Sequence, residues 1–180
     1  LGGEVAEAKA VLDYARALPF VDQSRVFLVG LSLGGAVASI VGGEEPGKAR
    51  AIVLWAPAGN MPDLIAARET KEGREALARN GYLDLGGLPL GREFFRDLAA
   101  TDIYRRAAPF PGRVLLIHGD ADESVPLAAS QRYREIYGPR AELRVIPGAG
   151  HTFDRADWRD EIIRRTVEFL REESTATPWP

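Results

Sequence analysis

Ser32 stands between two glycines in the run "RVFLVGLSLGGAVASIV", Arg25 to Val41. Gly30-Leu31-Ser32-Leu33-Gly34 has the Gly-x-Ser-x-Gly form of a nucleophile elbow, with a short apolar run before it and a helical pattern after it. A hydroxyl is a weak nucleophile until a neighbouring base takes its proton. The chain holds two histidines. His118 closes an apolar run and is expected to hydrogen-bond within its own loop. His151 lies between Gly150 and Thr152 in the loop segment "PGAGHTF" and is the candidate general base. An acid must then hold the imidazole in the right tautomer. The segment "HGDADESVP", His118 to Pro126, offers three. Asp122 can reach back from just past the strand end and is favoured. Asp120 follows the strand almost directly and is expected to brace the turn through its own backbone, although it stays an alternative. Glu123 reads as a solvated turn residue. The Leu33 N–H opens the helix after the elbow and can donate to a developing oxyanion. A side chain on either flanking glycine is expected to collide with the neighbouring strand and helix.

Such groups need a rigid frame. Val26 to Val29 is short, apolar on both faces and bounded by turn residues, which suits a strand buried in a parallel sheet. The same signature returns at Ala51 to Trp55, at Val114 to Ile117 and, more weakly, at Leu143 to Ile146. Helical patterns run over Glu4 to Leu18, Leu33 to Val41, Leu127 to Tyr137 and Asp157 to Glu172. Alternating strands and helices predict a three-layer, doubly wound α/β fold, with strands near 25–30, 51–56, 114–118 and 142–146. His118 to Pro126 and Pro147 to Phe153 then fall at the carboxyl ends of strands, where open α/β sheets bind ligands. Residues 59–110 break the alternation and are far longer than a crossover requires. They hold a predicted helix, Pro62 to Arg79, then a predicted hairpin from Tyr82 to Leu90 around Gly86-Gly87. The segment reads as an inserted cap, with the core in 1–58 and 111–174 and a disordered tail in 175–180.

The chain has 180 residues, 46% hydrophobic and 27% charged, enough for one domain with a sizeable core. A net charge of −3 gives no electrostatic reason to expect nucleic acid or an anionic membrane as partner. No apolar run reaches the roughly 18 residues of a membrane span, and a cytoplasmic location is expected. The absence of cysteine excludes disulfides, thiolate metal sites and cysteine nucleophiles. Two separated histidines make a poor metal-ligand set, no phosphate-binding glycine loop with a following lysine occurs, and no cofactor is expected.

"LVGLSLGGAVA", "LLIHGDADESVP" and "GAGHTF" together resemble the α/β-hydrolase superfamily, specifically its serine esterases, with the order serine, acid, histidine. "NGYLDLGGLPLGREFFRDL", Asn80 to Leu98, resembles the inserted domain of bacterial cinnamoyl (feruloyl) esterases. The resemblance spans nearly the whole chain. It implies Ser32 as nucleophile, Asp122 as acid, His151 as base, Leu33 as one oxyanion donor, and Tyr82 and Asp84 as candidate substrate contacts. It implies an ester hydrolase working through an acyl-enzyme, on aromatic (cinnamoyl or feruloyl type) or short acyl esters. A serine peptidase or acyltransferase would use the same triad, and a non-catalytic scaffold would keep only the fold. The family also places strands, and a His-Gly loop with a second oxyanion donor, ahead of the elbow. Here one helix precedes it, and the chain opens Leu1-Gly2-Gly3, so a fragment or shortened form of a longer hydrolase is expected. The edge Val26 to Val29 would then be covered by a second copy or by an N-terminal segment.

Overall fold

The computed structural model describes residues 1–67, 70–84, 87 and 89–176. In chain order the elements are α1 (Gly2–Ala17), β1 (Phe27–Leu31), α2 (Leu33–Glu44), β2 (Ala51–Trp55), α3 (Met61–Ala67), α4 (Lys71–Asn80), β3 (Tyr82–Asp84), β4 (Pro89–Gly91), α5 (Arg92–Ala99), α6 (Ile103–Ala107), β5 (Arg113–Gly119), α7 (Ala128–Tyr137), β6 (Ala141–Ile146) and α8 (Ala156–Thr175). The four long apolar runs form one parallel sheet in the order β1-β2-β5-β6. Their periodicity has a simple cause. Both faces of β2 and β5 are covered, so every position along them can be apolar.

One face carries Ile52, Leu54, Val114 and Leu116 against α1, α2 and α7, and the other carries Ala51, Val53, Leu115 and Ile117 against α8. Full burial of a leucine such as Leu54 or Leu116 contributes about 1.5–3 kcal/mol. α2 is built of small residues and is buried from Gly35 to Gly43. A Cβ on Gly43 would lie 2.1 Å from the Arg106 carbonyl oxygen, which shows how closely α6 approaches. Glycine is a poor helix former, so packing rather than propensity holds this helix.

α8 buries Ile162, Thr166, Phe169 and Glu173 on one stripe. The Trp55 indole N–H on β2 donates to Thr166 Oγ1 at 3.1 Å, while Trp158 sits beside Gly148, just past β6. β1 pairs with β2 alone among the described residues, and its Val29 and Leu31 are 49% and 38% exposed, as on α8 Ile163 and Val167 are 51% and 38% exposed. Among the described residues no helix is long and apolar enough to cross a membrane.

Within 59–110 the single predicted helix is two, α3 and α4. Thr70 is extended (φ −98°, ψ 162°) and its hydroxyl accepts from the Gly73 N–H at 3.0 Å, so a new helix starts there. Apolar periodicity runs straight through such a cap. β3 and β4 pair antiparallel, Leu83 opposite Leu90; Leu85, Gly86 and Leu88 of the predicted hairpin lie outside the described residues. The segment's last part enters the main core: Leu98, Ile103, Tyr104, Ala107 and Phe110 belong to the same cluster as α2. The chain's predicted tail begins inside α8, and its residues from 177 lie outside the described ones.

Candidate active site

Ser32 joins β1 to α2 with φ 55° and ψ −120°, a left-handed conformation that a non-glycine residue adopts only under constraint. The constraint is visible. Its N–H donates to the Trp55 carbonyl at 2.9 Å, and its carbonyl accepts from Ala36 N–H at 3.1 Å and Ala58 N–H at 3.0 Å. The expectation that both flanking glycines are sterically required needs correcting. A Cβ on Gly30 would lie 2.2 Å from the Gly34 carbonyl oxygen, whereas one on Gly34 would meet nothing within 4 Å. The second tight position is Gly35, whose Cβ would sit 3.0 Å from Pro57 Cβ and 3.1 Å from the Gly30 oxygen.

Asp122 follows β5 in a turn that it caps itself: Oδ1 accepts from Ser124 N–H and Val125 N–H, each at 2.8 Å. Its side chain has no exposed surface. Burial by itself would raise its pKa. The N–H of Val125, the ring of His151 and the N–H of Ser124 outweigh that and hold it below the usual carboxylate value.

His151 stands in the loop after β6, and two ties fix that loop. Asp120 Oδ1 accepts from Gly148 N–H at 2.6 Å, and Ala121 N–H donates to the Ala149 carbonyl at 3.1 Å. Asp120 thus braces the histidine loop rather than its own turn. Phe153, buried to 1% in the α8-side cluster, anchors the far end.

These three residues meet. His151 Nδ1 lies 2.7 Å from Asp122 Oδ2, and His151 Nε2 lies 2.9 Å from Ser32 Oγ. An ionised Asp122 only accepts, so Nδ1 carries the hydrogen and Nε2 presents its lone pair to the serine hydroxyl. The arrangement can draw the proton from Ser32 and stabilise the resulting imidazolium. Leu33 is the first residue of α2, so its N–H has no partner within the helix and lies at the positive end of the helix dipole. Glu123 is exposed, in line with a turn residue.

Beside this chain of bonds lies His118, fully buried, with Nδ1 2.7 Å from Ser130 Oγ and Nε2 2.9 Å from the Val125 carbonyl. Nε2 is also 3.2 Å from Asp122 Oδ2, a contact that sequence alone did not suggest. Burial lowers its pKa, against the opposing pull of Val125 and Asp122.

Tyr82 and Asp84 lie on β3, apart from Leu83 in the strand alternation. Tyr82 is 45% exposed and Asp84 accepts from Gly87 N–H at 2.6 Å within the hairpin turn. A largely apolar cavity of about 380 Å³ opens within 59–110, lined by Pro62, Ile65, Leu77, Leu83, Phe95 and Leu98, with Thr70 and Arg74 among its polar residues. Leu83 lines it; Tyr82 and Asp84 do not. Among the described residues no group of three or more acidic or histidine side chains is placed to hold a metal ion.

The model of the prolyl oligopeptidase family matches residues 2–177. The chain is 30% identical over 159 residues to the uncharacterized peptidase YtmA of Bacillus subtilis (strain 168), covering 85% of this chain and 57% of that protein. It is 31% identical over 175 residues to the uncharacterized protein Rv2627c of Mycobacterium tuberculosis, covering 93% of this chain and 38% of that one. It therefore spans between about a third and somewhat over half of the length of these relatives. Among solved structures, Est1E from Butyrivibrio proteoclasticus with bound ferulic acid superposes with a TM-score of 0.81 at 26% identity, covering 96% of this chain and 68% of that one. The mouse alpha/beta hydrolase domain-containing protein 10 gives 0.71 at 20% identity, covering 93% and 70%. With a parallel sheet flanked by helices and a match from residue 2 to residue 177, the chain belongs to the prolyl oligopeptidase family of α/β-hydrolases, a group of esterase and peptidase type.

Proposed function

We propose that this chain is a serine esterase that cleaves carboxylic esters through an acyl-enzyme on Ser32. The observation that carries the reading is the unbroken hydrogen-bonded chain from Ser32 Oγ through His151 to Asp122. In the proposed cycle His151 Nε2 takes the Ser32 proton as Oγ bonds to the ester carbonyl carbon. The oxyanion forms by the Leu33 N–H, and Asp122 holds the imidazolium. Nε2–H then protonates the departing alkoxide as the C–O bond breaks. Water, deprotonated by the same nitrogen, frees the acid and returns the proton to Ser32. α3, α4, the β3–β4 hairpin and α5 serve in this reading as a cap. The ferulic acid held by Est1E supports an aromatic acyl group; the apolar cavity within 59–110 has none of Ser32, Leu33, Asp122 and His151 in its lining.

A peptidase is the second reading, favoured by the family's name and by the relative YtmA. An acyltransferase is equally compatible with the triad, and a non-catalytic scaffold would bind without reacting. A fluorophosphonate probe tests the first step. We expect labelling of the wild type and none of Ser32→Ala; a folded wild type that does not label would overturn the enzyme reading. Matched p-nitrophenyl esters and p-nitroanilides of one acyl group then separate esterase from peptidase, with faster turnover of the esters expected.

We also propose that the open side of β1 is covered in the working molecule by further polypeptide, a second copy or an N-terminal segment. The exposed Val29 and Leu31 on an edge strand support this. The second oxyanion donor implied by the family resemblance would come from the same side. Loss of one such donor costs about 10²–10³ in turnover.

A further inference from the structure

Two histidines converge on one carboxylate oxygen. Asp122 Oδ2 lies 2.7 Å from His151 Nδ1 and 3.2 Å from His118 Nε2, while Oδ1 takes the two backbone N–H groups of Ser124 and Val125. The tautomer of His118 follows from its neighbours. Nε2 is hydrogen-bonded to the Val125 carbonyl at 2.9 Å, which only accepts, and has the Asp122 carboxylate 3.2 Å away, so the ring hydrogen is on Nε2. Nδ1 then accepts from the Ser130 hydroxyl at 2.7 Å. A neutral ring in this tautomer satisfies every polar atom in a place with no solvent. Val125 closes the unit, since its N–H holds Oδ1 and its carbonyl holds His118.

We propose that His118 is a positioning residue for the reaction: its Nε2–H holds the carbonyl of Val125, whose own N–H holds Asp122 Oδ1, and from 3.2 Å it moderates the negative charge that Oδ2 presents to His151. This rests on the triad reading above. The titratable groups facing His118 are Asp122 and His151; Ser130 of α7 and the Val125 carbonyl are neutral. Removing the donor leaves Oδ2 more strongly basic, so the imidazolium of His151 is favoured to higher pH. Asp122 keeps its bonds from Ser124, Val125 and His151, while the Val125 carbonyl and the Ser130 hydroxyl lose theirs.

The test compares wild type with His118→Phe, which has no donor, and His118→Gln, whose amide N–H can stand where Nε2–H stood. Rates of fluorophosphonate labelling and of p-nitrophenyl acetate hydrolysis are measured from pH 5 to 9, normalised to titrated sites. For His118→Phe we expect kcat to fall about tenfold with KM within about twofold, and the acid limb to move up by about 0.5–1 pH unit. For His118→Gln we expect the limb to return to its wild-type position and most of the rate to recover. A limb unmoved in His118→Phe, or equal defects in both variants, overturns the proposal. Should His118→Phe not fold, ¹⁵N-histidine NMR of the wild type decides, because only two rings contribute signals. One ring must then be the neutral Nε2–H tautomer throughout the range in which the other titrates; the opposite tautomer, or joint titration, overturns it. A wild type that never labels counts against the enzyme reading instead, which keeps the two failures distinct.

Discussion

Ser32 keeps its left-handed backbone because Trp55, Ala36 and Ala58 hold both of its peptide groups. Such a conformation costs on the order of 1–3 kcal/mol, which the surrounding fold has to offset. It also depends on Gly30, where an added methyl would overlap the Gly34 carbonyl. Gly30→Ala is therefore expected to destabilise by about 3 kcal/mol or more and to abolish probe labelling, whereas Gly34→Ala leaves both nearly unchanged; thermal melts and labelling check the pair. Two groups at the site also link stability to pH. The pKa of buried His118 is lower in the folded protein than in the unfolded chain, so the unfolded state binds more protons between the two values. Its contribution is fully present above about pH 6.5 and is lost as pH falls below that. Asp122, also depressed, contributes above its unfolded value near 4 and loses that contribution at lower pH still. Urea midpoints are expected to fall as pH drops from about 6.5 to 5 in the wild type, and to stay flatter in His118→Gln.

α7 shows how one element carries two tyrosines of opposite value. Ser39 on α2 donates its hydroxyl to the Ala36 carbonyl at 2.7 Å, so Tyr133 donates to Ser39 Oγ at 2.9 Å and ties α7 to α2 across the core. Tyr137, one helical turn on, is equally buried, but its hydroxyl has no partner among the described residues. Tyr133→Phe is expected to cost about 1 kcal/mol, because a made bond is lost. Tyr137→Phe removes an unsatisfied polar atom and is expected to be neutral or stabilising. Equal effects of the two changes, measured by denaturant unfolding, would contradict this account. The α7 pattern and the main strands were legible because their periods are set by burial. The division of 62–79 into α3 and α4 was not, since one side-chain bond at Thr70 decides it.

At the scale of the whole molecule the sheet has two unlike edges. β6 ends it beside α7, with charged Glu142 and Arg144 along the strand. β1 ends it with Phe27, Leu28, Val29 and Leu31, all apolar. An edge of unpaired backbone with apolar side chains invites pairing. The isolated chain is expected to self-associate at tens of micromolar or to require further polypeptide for solubility, and the charged edge variant Val29→Lys to reduce that association. Light scattering that finds a monodisperse wild-type monomer with this edge bare would remove the support for a covering partner.

The sequence by itself determined the strand and helix alternation, the Gly-x-Ser-x-Gly turn, and the chain order of Ser32, Asp122 and His151, because buried strands and tight turns leave local chemical signatures. It also singled out Asp122 and His151 from their places at strand ends. Only the tertiary structure decided what surrounds them. That Asp120 reaches across to Gly148, that Gly35 rather than Gly34 is the crowded glycine, and that His118 meets the same oxygen as His151 all depend on contacts between loops of different strands. Such contacts arise from parallel pairing in register, β5 beside β6 and β1 beside β2, and no local pattern of residues encodes that distance.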